Sequence, residues 1–316
     1  LERVSERNQG KIACVRSHLV RGLEAGRLPA VERAAAGRSL AVLGDPRPGV
    51  GLRPDGLPDI AWCEVPAGSF LMGKEQEPNE TITQPYRIGR YPVTNAQFAA
   101  FVAANGYGER RYWTEVGWER KERGGWTVPD DYGEPFNLLN HPVVGVSWYE
   151  AVAFCCWLTE QLRRIGELDS RIEIMLPNEP QWEKAARGTD GRAYPWGDEA
   201  NPDLANCRDT GIGAASAVGC FPNGASPYGV DDLNGNVWEW TRSLYGSYPY
   251  DPDDGRENLK AEIHDRRVLR GGSFNHDVRN VRAACNYPYP NDRHRDRSFR
   301  VVASPVRQPS PLPRRP

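Results

Sequence analysis

A chain of 316 residues has room for one large domain, with or without an appended segment. Its formal net charge of −2 argues against nucleic-acid binding as the main role, and no apolar stretch is long enough to span a membrane. The seven cysteines form no Cys-x-x-Cys pair, which is typical of a reduced, cytoplasmic protein, although one disulfide is compatible with the count.

The N-terminal part of the sequence is predicted to be helical. A helical pattern runs from Leu28 to Leu43 and ends at Gly44, with Pro46 just beyond it. The Pro/Gly-rich stretch that follows has the composition of a linker. We therefore expect four parts, which are a helical segment over 1–45, a linker over 46–57, a domain over 58–303 and a disordered Pro/Arg tail over 304–316.

Capping residues mark three helices in the main domain. Thr94 and Asn178 each precede a helical pattern, and Ser147 precedes a longer one with Glu150 three residues later, which forms a capping box. Residues 63–73 predict a strand, a turn and a second strand. Turn-forming residues dominate from about 189 to 260, so this region should consist mainly of loops.

Eight short strings within these elements occur in the order of a known family. They are Val65-Pro-Ala-Gly-Ser-Phe70, Tyr91-Pro-Val-Thr-Asn95, His141-Pro-Val-Val-Gly-Val-Ser-Trp148, Leu176-Pro-Asn-Glu-Pro-Gln-Trp-Glu-Lys-Ala-Ala-Arg-Gly188, Tyr194-Pro-Trp-Gly197, Asn234-Gly-Asn-Val-Trp-Glu-Trp240, Arg270-Gly-Gly-Ser-Phe274 and Phe299-Arg-Val-Val302. Over roughly residues 58–302 the chain resembles the formylglycine-generating-enzyme (sulfatase-modifying factor) family. The resemblance implies an α+β, C-type-lectin-like fold with small antiparallel sheets, few helices and long ordered loops.

The same resemblance allows us to ask whether the chain keeps the copper-dependent activity of the family. The founding enzyme holds copper with two cysteine thiolates that lie five residues apart, shortly after the string that ends here at Phe274. In this sequence Asn275 and His276 stand at that place, and Cys285 is the one cysteine of the segment. Because soft thiolates are what Cu(I) requires, the sequence predicts that no copper is bound and that the chain is not an enzyme.

A second enzymatic relative is the iron-dependent sulfoxide synthase that makes thiohistidines. It resembles this domain but takes three histidine ligands from an N-terminal helical bundle. The five histidines here are scattered, and His18 alone precedes the domain, so such an iron site is not expected.

Calcium, at a structural site, is the remaining metal that the family implies. Carried over residue by residue, Asp232 and Glu239 would supply side-chain oxygens, while Gly235 and Val237 would supply carbonyls. Hard oxygen ligands on a tight loop suit calcium. The alternative is that the two acidic residues cap a turn that is packed by Trp238 and Trp240.

Residues 274–298 differ in composition from the rest of the chain. They contain no Lys, Glu, Gln, Met or Trp, although these types fill 47 positions of the sequence and about four would be expected in a segment of this length. An asparagine codon randomised at its two adenines can never encode any of those five residues. The segment therefore resembles the variable region, here about 270–302, of a diversity-generating retroelement target protein, of bacterial or phage origin. The alternative is a fixed polar loop with internal ion pairs.

Some residues of this segment are predicted to be scaffold and others to be displayed. Val281 and Ala283 alternate with Arg282 as in a half-buried strand, which suggests a fixed framework. The predicted display residues are Phe274, His276, Asp277, Tyr287, Tyr289, Asp292, His294, Arg295, Asp296 and Arg297. Tyrosines surrounded by polar groups are typical of adaptable binding surfaces.

Three functions are compatible with these patterns. The first is a monomeric, non-catalytic protein that binds another protein or macromolecule through a diversified surface and needs no cofactor except possible structural calcium. The second is an enzyme, either an oxidase of the formylglycine-generating type or another on the same scaffold. The third is a fixed recognition module of a larger effector protein. The sequence favours the first, because it offers scattered histidines and ordinary carboxylates rather than a convergent catalytic site.

Overall fold

The structure, a computed structural model, describes residues 6–260 and 264–305. The helices are α1 (Glu6–Glu24), α2 (Ala30–Leu43), α3 (Asn95–Ala103), α4 (Glu115–Gly124), α5 (Trp148–Arg164) and α6 (Glu179–Arg187). The strands are β1 (Trp62–Val65), β2 (Phe70–Met72), β3 (Glu77–Asn79), β4 (Tyr86–Gly89), β5 (Ile172–Met175), β6 (Trp238–Leu244), β7 (Arg267–Arg270), β8 (Asn286–Tyr289), β9 (Arg297–Ser298) and β10 (Val302–Pro305). None of the described helices is long and apolar enough to cross a membrane.

The strands form three small sheets. One has the order β1-β4-β10-β5 and is antiparallel throughout, and a second contains β2 and β3 alone. The third has the order β8-β7-β6-β9, in which β9 runs parallel to β6 and β8 is an edge strand. Small, mostly antiparallel sheets, together with helices and long ordered loops, confirm the predicted α+β fold.

The helices begin where the capping residues predict. The Ser147 side chain accepts the backbone N–H of Glu150, and the Glu150 carboxylate accepts the N–H of Ser147 at 2.8 Å. Thr94 and Asn178 begin α3 and α6 with the same reciprocal pair of bonds. The two strands predicted within 63–73 are β1 and β2, but they belong to different sheets because β2 pairs with β3.

Aromatic rings fill the main core and hold the C-terminal segment against it. Phe98 and Phe154 stack with their centroids 5.5 Å apart, and Phe299 meets Phe154 edge-on at 5.5 Å. Such pairs bury large areas and add roughly 1 kcal/mol each beyond the area term. Phe299 follows β9 directly, so this packing fixes the end of the segment that was predicted to vary.

The N-terminal helices pack on the domain rather than standing apart from it. Leu40 of α2 is buried in a cluster with Ala217 and Phe221 of the central loops. Arg33 lies in the same contact, with its guanidinium 4.3 Å from the Phe221 ring and a hydrogen bond of 2.7 Å to the carbonyl of Asp203. The helical segment is therefore attached to the domain by a buried interface.

The predicted linker is also packed against the domain. Val50 is fully buried, and its carbonyl accepts a hydrogen bond from the Thr94 hydroxyl at 2.7 Å. The Gln97 amide donates to the carbonyl of Gly49 at 3.0 Å. The stretch with the composition of a linker is therefore an ordered one, because α3 satisfies its backbone groups.

The end of the domain also differs from the prediction. Ser304 and Pro305 were placed in the disordered tail, but both belong to β10 and pair with β5. The strand thus uses two more residues than the apolar pattern indicates. Residues 306–316 of the predicted tail lie outside the described residues.

Candidate functional site

Four ring side chains form a continuous row beside the third sheet. The ring centroids of Tyr289 and Tyr287 are 5.0 Å apart, and Tyr287 lies 6.3 Å from Trp238. Trp238 then meets His276 edge-on at 5.3 Å. We call these four residues the aromatic row. It brings three predicted display residues together with Trp238.

The exposed fraction differs along the row. Tyr287, on the edge strand β8, is 52% exposed, whereas Tyr289 and His276 are half-buried. Trp238 begins β6 and is only 5% exposed, so it supports the other rings from below. The row therefore presents one prominent ring with partly exposed neighbours, as in the centre of a protein-binding surface.

Arg297 supports the row from beneath. Its guanidinium lies 3.7 Å from the centroid of the Tyr289 ring, and it forms an ion pair with Asp292. The side chain is buried, and this burial lowers the pKa of Arg297 below its usual value. The prediction of Arg297 as a display residue is wrong, because β9 pairs with β6 and turns this side chain inward.

A chain of hydrogen bonds connects the two histidines of the surface. His276 Nδ1 lies 3.1 Å from the hydroxyl of Ser273, and Ser273 is 3.5 Å from the Asp296 carboxylate. His294 Nδ1 lies 2.5 Å from the other oxygen of Asp296. Desolvation lowers the pKa of His276, although the nearby Asp296 carboxylate opposes that shift. The neutral imidazole of His276 is therefore favoured near pH 7.

Two further display predictions are wrong. Phe274 is 1% exposed and packs with Val144 and Val237, with its ring 5.7 Å from that of Phe136. Asp296 is buried, and its carbonyl accepts the N–H of Trp238 at 2.8 Å. Both residues fix the backbone from which the exposed side chains project.

The other predicted display residues reach the surface. His294 and Arg295 are exposed in the loop between β8 and β9, while Asp292 and Asp277 are partly exposed. Asp277 forms an ion pair of 3.2 Å with Arg208. Surface positions therefore occur in the sequence both before and after Tyr287.

The framework prediction is correct in burial but wrong in secondary structure. Val281 and Ala283 are buried and Arg282 is exposed, as the alternation indicates. They lie in the coil and turn directly after a 3₁₀ helix over Val278–Asn280 rather than in a strand. Val281 packs with Tyr194. A short alternation cannot distinguish a strand from a turn held by such contacts.

Sequence reasoning missed three contributors to this surface. Trp238 lies in the row, Ser273 connects His276 to Asp296, and Arg208 pairs with Asp277. The signal for the first two was their position inside the recognised strings 234–240 and 270–274. No pattern in the sequence pointed to Arg208, because its contact with Asp277 spans 69 residues.

The predicted calcium ligands are not all available. Both oxygens of Glu239 accept hydrogen bonds from Arg300 at 2.6 Å, and Trp182 donates to one of them at 2.8 Å. This carboxylate is therefore already neutralised. Asp232 is buried and accepts the N–H of Gly219 at 2.6 Å. Gly235 has φ +82° and lies against the carbonyl of Asn206, an approach that a Cβ would block.

Asp232 predicts a distinct pH dependence of stability. Burial, followed by repulsion from Asp231, raises the pKa of Asp232 to about 7. The folded chain then holds a proton that the unfolded chain loses above about pH 4, so this group lowers the unfolding free energy as pH rises from about 4 to 7. In chelator, D232N should be more stable than the parent at pH 8, and this advantage should vanish near pH 4. Urea denaturation at both pH values measures it, and an equal difference at both would contradict it.

Calcium binding at this loop stays a prediction, and the melting temperature with and without calcium tests it. A divalent cation beside Asp232 favours the ionised carboxylate, so added calcium should raise the melting temperature of the parent at pH 8 and not that of D232N. An identical response of the two proteins would remove Asp232 from the ligand set.

The remaining metal predictions concern copper and iron. Five residues after His276 stands buried Val281, and Cys285 is a half-buried free thiol. Across 6–260 and 264–305, no three His, Cys, Asp or Glu side chains converge on a point that could hold a metal ion.

Comparisons with known proteins agree with this architecture. The model of the sulfatase-modifying factor enzyme 1-like domain matches residues 59–305. The hercynine oxygenase of Mycolicibacterium thermoresistibile is 32% identical over 73% of this chain and 56% of its own length. The formylglycine-generating enzyme of Thermomonospora curvata is 31% identical over 77% of this chain and 93% of its own. The chain thus spans little more than half of the hercynine oxygenase it matches.

A solved structure shows the same fold at lower identity. Treponema denticola variable protein 1 superposes with a TM-score of 0.56 and 19% identity, over 78% of this chain and 95% of that one. The match confirms the expected fold, which this chain shares with a variable protein.

The prediction that the chain is not an enzyme is contradicted by these relatives. Their names include a hercynine oxygenase and a formylglycine-generating enzyme, at more than 30% identity. The missing cysteine pair argues only against copper chemistry. It does not exclude the other activities that the names of these relatives include. With the family model covering residues 59–305 and these relatives beside it, the chain belongs to the sulfatase-modifying factor enzyme 1-like family.

Proposed function

We propose that the chain binds a macromolecular ligand, in the first place another protein, through the aromatic row and the polar residues around it. The observation that carries this proposal is the row itself, with the half-exposed Tyr287 at its centre and exposed His294 and Arg295 nearby in sequence. Tyrosines supply rigid contact area, and the surrounding polar groups supply hydrogen bonds. The buried Arg297 and Trp238 hold this surface in place.

The proposal extends to the origin of the surface, namely diversification by a retroelement at the exposed positions. The absence of five residue types from 274–298 supports it, as does the fold shared with Treponema denticola variable protein 1. Exposed residues such as His294 also alternate with anchored ones such as Asn291 and Arg293, whose side chains bond Tyr149 and Glu150. A backbone held in this way can accept different side chains at its exposed positions.

The experiment that tests diversification is sequencing of the DNA on both sides of the gene. We expect a near-identical copy of the codons for 270–302, with adenines wherever the exposed residues differ, beside a reverse-transcriptase gene. A locus with neither feature would leave a fixed binding surface and reject the retroelement.

Exposed and anchored positions should respond differently to mutation. The triple variant Y287A/H294A/R295A should keep the unfolding free energy within about 2 kcal/mol of the parent, because all three side chains are exposed and the variant loses only the ring contacts of Tyr287 and the His294 bond to Asp296. Phe274→Ala should cost about 3–5 kcal/mol, because it empties a buried site. Urea denaturation gives both values. A triple variant as unstable as F274A would show that the surface is part of the fold and cannot be varied freely.

Catalysis is the second candidate function, favoured by the identity of over 30% to named enzymes. In that case the surface would hold a small substrate. Turnover of hercynine with iron and oxygen, or of a cysteine-containing sulfatase peptide with copper, would support it. Absence of turnover in both assays would leave ligand binding as the function.

We further propose that the chain acts as a monomer in the cytoplasm. The seven cysteines, all within the described ranges, are free thiols, which suits a reducing compartment. Light scattering of the purified chain measures its mass, and a concentration-independent mass of two copies would contradict the proposal.

A further inference from the structure

The aromatic row is too small to supply a protein interface by itself. Stable interfaces bury about 800 Å² on each partner. An aromatic side chain buries roughly 150–250 Å² in full, so the half-exposed ring of Tyr287 offers only about 100 Å². The other three rings of the row are half-buried or buried. A protein that binds through the row must therefore also contact exposed side chains beside it.

The lateral loop, which we define as residues 126–136 between α4 and α5, carries two exposed side chains of this kind. Val128 is 51% exposed and Tyr132 is 39% exposed. A single exposed apolar side chain is ordinary, whereas several that lie together mark an interaction site. The meaning of these two side chains therefore depends on whether the lateral loop adjoins the proposed surface.

The lateral loop is attached to the loop between β8 and β9, which carries the exposed His294. The guanidinium of Arg293 donates to the carbonyl of Val128 at 3.0 Å and to the carboxylate of Asp130 at 2.8 Å. The backbone adds to this attachment, because the N–H of Gly145 donates to the carbonyl of His294 at 3.0 Å and the N–H of Asp130 donates to the carbonyl of Gly145 at 3.0 Å. The lateral loop therefore lies directly beside an exposed part of the proposed surface.

Tyr132 is connected to the aromatic row itself by a buried arginine. Partial burial raises the pKa of Tyr132, and the positive charge of Arg297 is close enough to oppose that shift. The same guanidinium lies 3.7 Å from the centroid of the Tyr289 ring, and the Tyr289 and Tyr287 centroids are 5.0 Å apart. Arg297 thus lies close to Tyr132 and directly against a ring of the row.

The lateral loop is held in shape by its own contacts. The carboxylate of Asp131 accepts the N–H of Gly133 at 2.8 Å and the side-chain amide of Asn137 at 3.1 Å. The ring of Phe136 packs against the buried Phe274, with the two centroids 5.7 Å apart. A surface that is already ordered loses little conformational freedom when a partner binds. The exposed side chains of this loop can therefore serve as contacts without a rearrangement.

We propose that Val128 and Tyr132 form a second part of the binding face, and that the partner is a folded protein with an apolar patch opposite them. This inference rests on the proposed binding function and names the kind of partner. A folded protein has the area to cover the lateral loop and the row together, and an apolar patch matches the two exposed side chains. Both residues lie outside 274–298, so they stay the same when that segment varies. The lateral loop thus determines the class of partner, and 274–298 determines the choice within it.

The test uses small folded domains with a randomised surface, displayed on phage and selected against the whole chain. Selected domains whose affinity falls at least about tenfold with Tyr287→Ala are kept as probes of the row. We expect V128A/Y132A to weaken the same domains at least about tenfold, because it removes two apolar contacts from the interface. The control V31A/V42A removes two similarly exposed side chains from α2 and should bind as the parent does.

A further variant distinguishes direct contact from local structure. V128D leaves the Tyr132 ring on Phe136, their centroids 6.4 Å apart, but places a charge where the apolar patch of the partner would lie. Burying an unpaired charge is costly, so V128D should also weaken binding at least about tenfold. If V128D binds as the parent does, the effect of V128A/Y132A comes from altered packing and the inference is overturned. Circular dichroism of each variant confirms that the fold is retained.

The outcomes separate this inference from the function on which it rests. Folded domains that need Tyr287 but bind V128A/Y132A normally would overturn the second contact and keep the binding surface. Linear random peptides that bind as tightly as the folded domains, and that need Tyr287 but not the lateral loop, would overturn it in favour of an extended peptide. If no selected domain depends on Tyr287, both the inference and the proposed function fall.

Discussion

Replacing Arg300 with methionine is expected to lower the unfolding free energy by about 3–5 kcal/mol, the usual cost of leaving one member of a buried ion pair alone. Arg300 and Glu239 are both fully buried, and the guanidinium contacts both carboxylate oxygens at 2.6 Å. The same side chain donates to the carbonyls of Gly89 and Asp231. Methionine removes all of these donors, and the stranded carboxylate accounts for most of the loss. Urea denaturation monitored by tryptophan fluorescence measures it.

A double variant distinguishes charge from packing in this result. E239L/R300M removes both charges, so it should be clearly more stable than R300M although it has one more substitution. An E239L/R300M protein less stable than R300M would show that packing and the carbonyl contacts dominate. It would also point to the hydrogen bond from Trp182, which E239L removes.

The second large effect is expected at Arg270, the last residue of β7. Its guanidinium bonds Glu179 at 2.8 Å and Glu183 at 2.6 Å, and donates to the carbonyl of Ala283 at 2.9 Å. These partners raise the pKa of Arg270 even though burial opposes it, so the charge persists at every accessible pH. We expect R270M to cost about 3–5 kcal/mol, because Glu183 then keeps only Arg187 and the buried Glu179 loses its ion-pair partner.

R270M should also affect the ligand. Glu179 accepts a hydrogen bond from Asn286 at 2.9 Å, and Asn286 begins the strand that carries Tyr287. Loss of Arg270 therefore disturbs both ends of the turn between 283 and 286. We expect ligand binding through the aromatic row to weaken together with the free energy of unfolding.

The control for R270M is a solvent-exposed ion pair with a similar N···O distance. Arg171 and Asp169 lie 3.0 Å apart with both side chains exposed. R171A should change stability by no more than about 0.5 kcal/mol. A comparable loss in R171A and R270M would contradict the argument that burial determines the cost.

Local signals in the sequence predicted much of the fold. The capping pair Ser147 and Glu150 and the stop at Gly44 depend on residues close together in the chain, so both are legible without a structure. The recognised strings supplied the topology. Residues 46–57 were misjudged because their partners lie in α3, far away in sequence, and composition alone cannot reveal such contacts.

The candidate site was only partly predictable for the same reason. Polarity placed Asp296 and Arg297 at the surface, but their burial comes from the pairing of β9 with β6, a contact between segments about 60 residues apart. The pairing of Glu239, a predicted calcium ligand, with Arg300 spans 61 residues and has no local signal in the sequence. Tyr287 and His294 were found because their surroundings resemble those of binding loops and because both stay exposed, even where Tyr287 contacts the distant Trp238.

The edge position of β8 has a consequence for how a partner can attach. An open strand edge normally invites another extended chain to extend the sheet through backbone hydrogen bonds, whatever its side chains are. Pro288 and Pro290 remove two N–H donors from this edge. Backbone-mediated sheet extension is therefore disfavoured here, and recognition falls to the side chains, which can be replaced while the backbone stays the same.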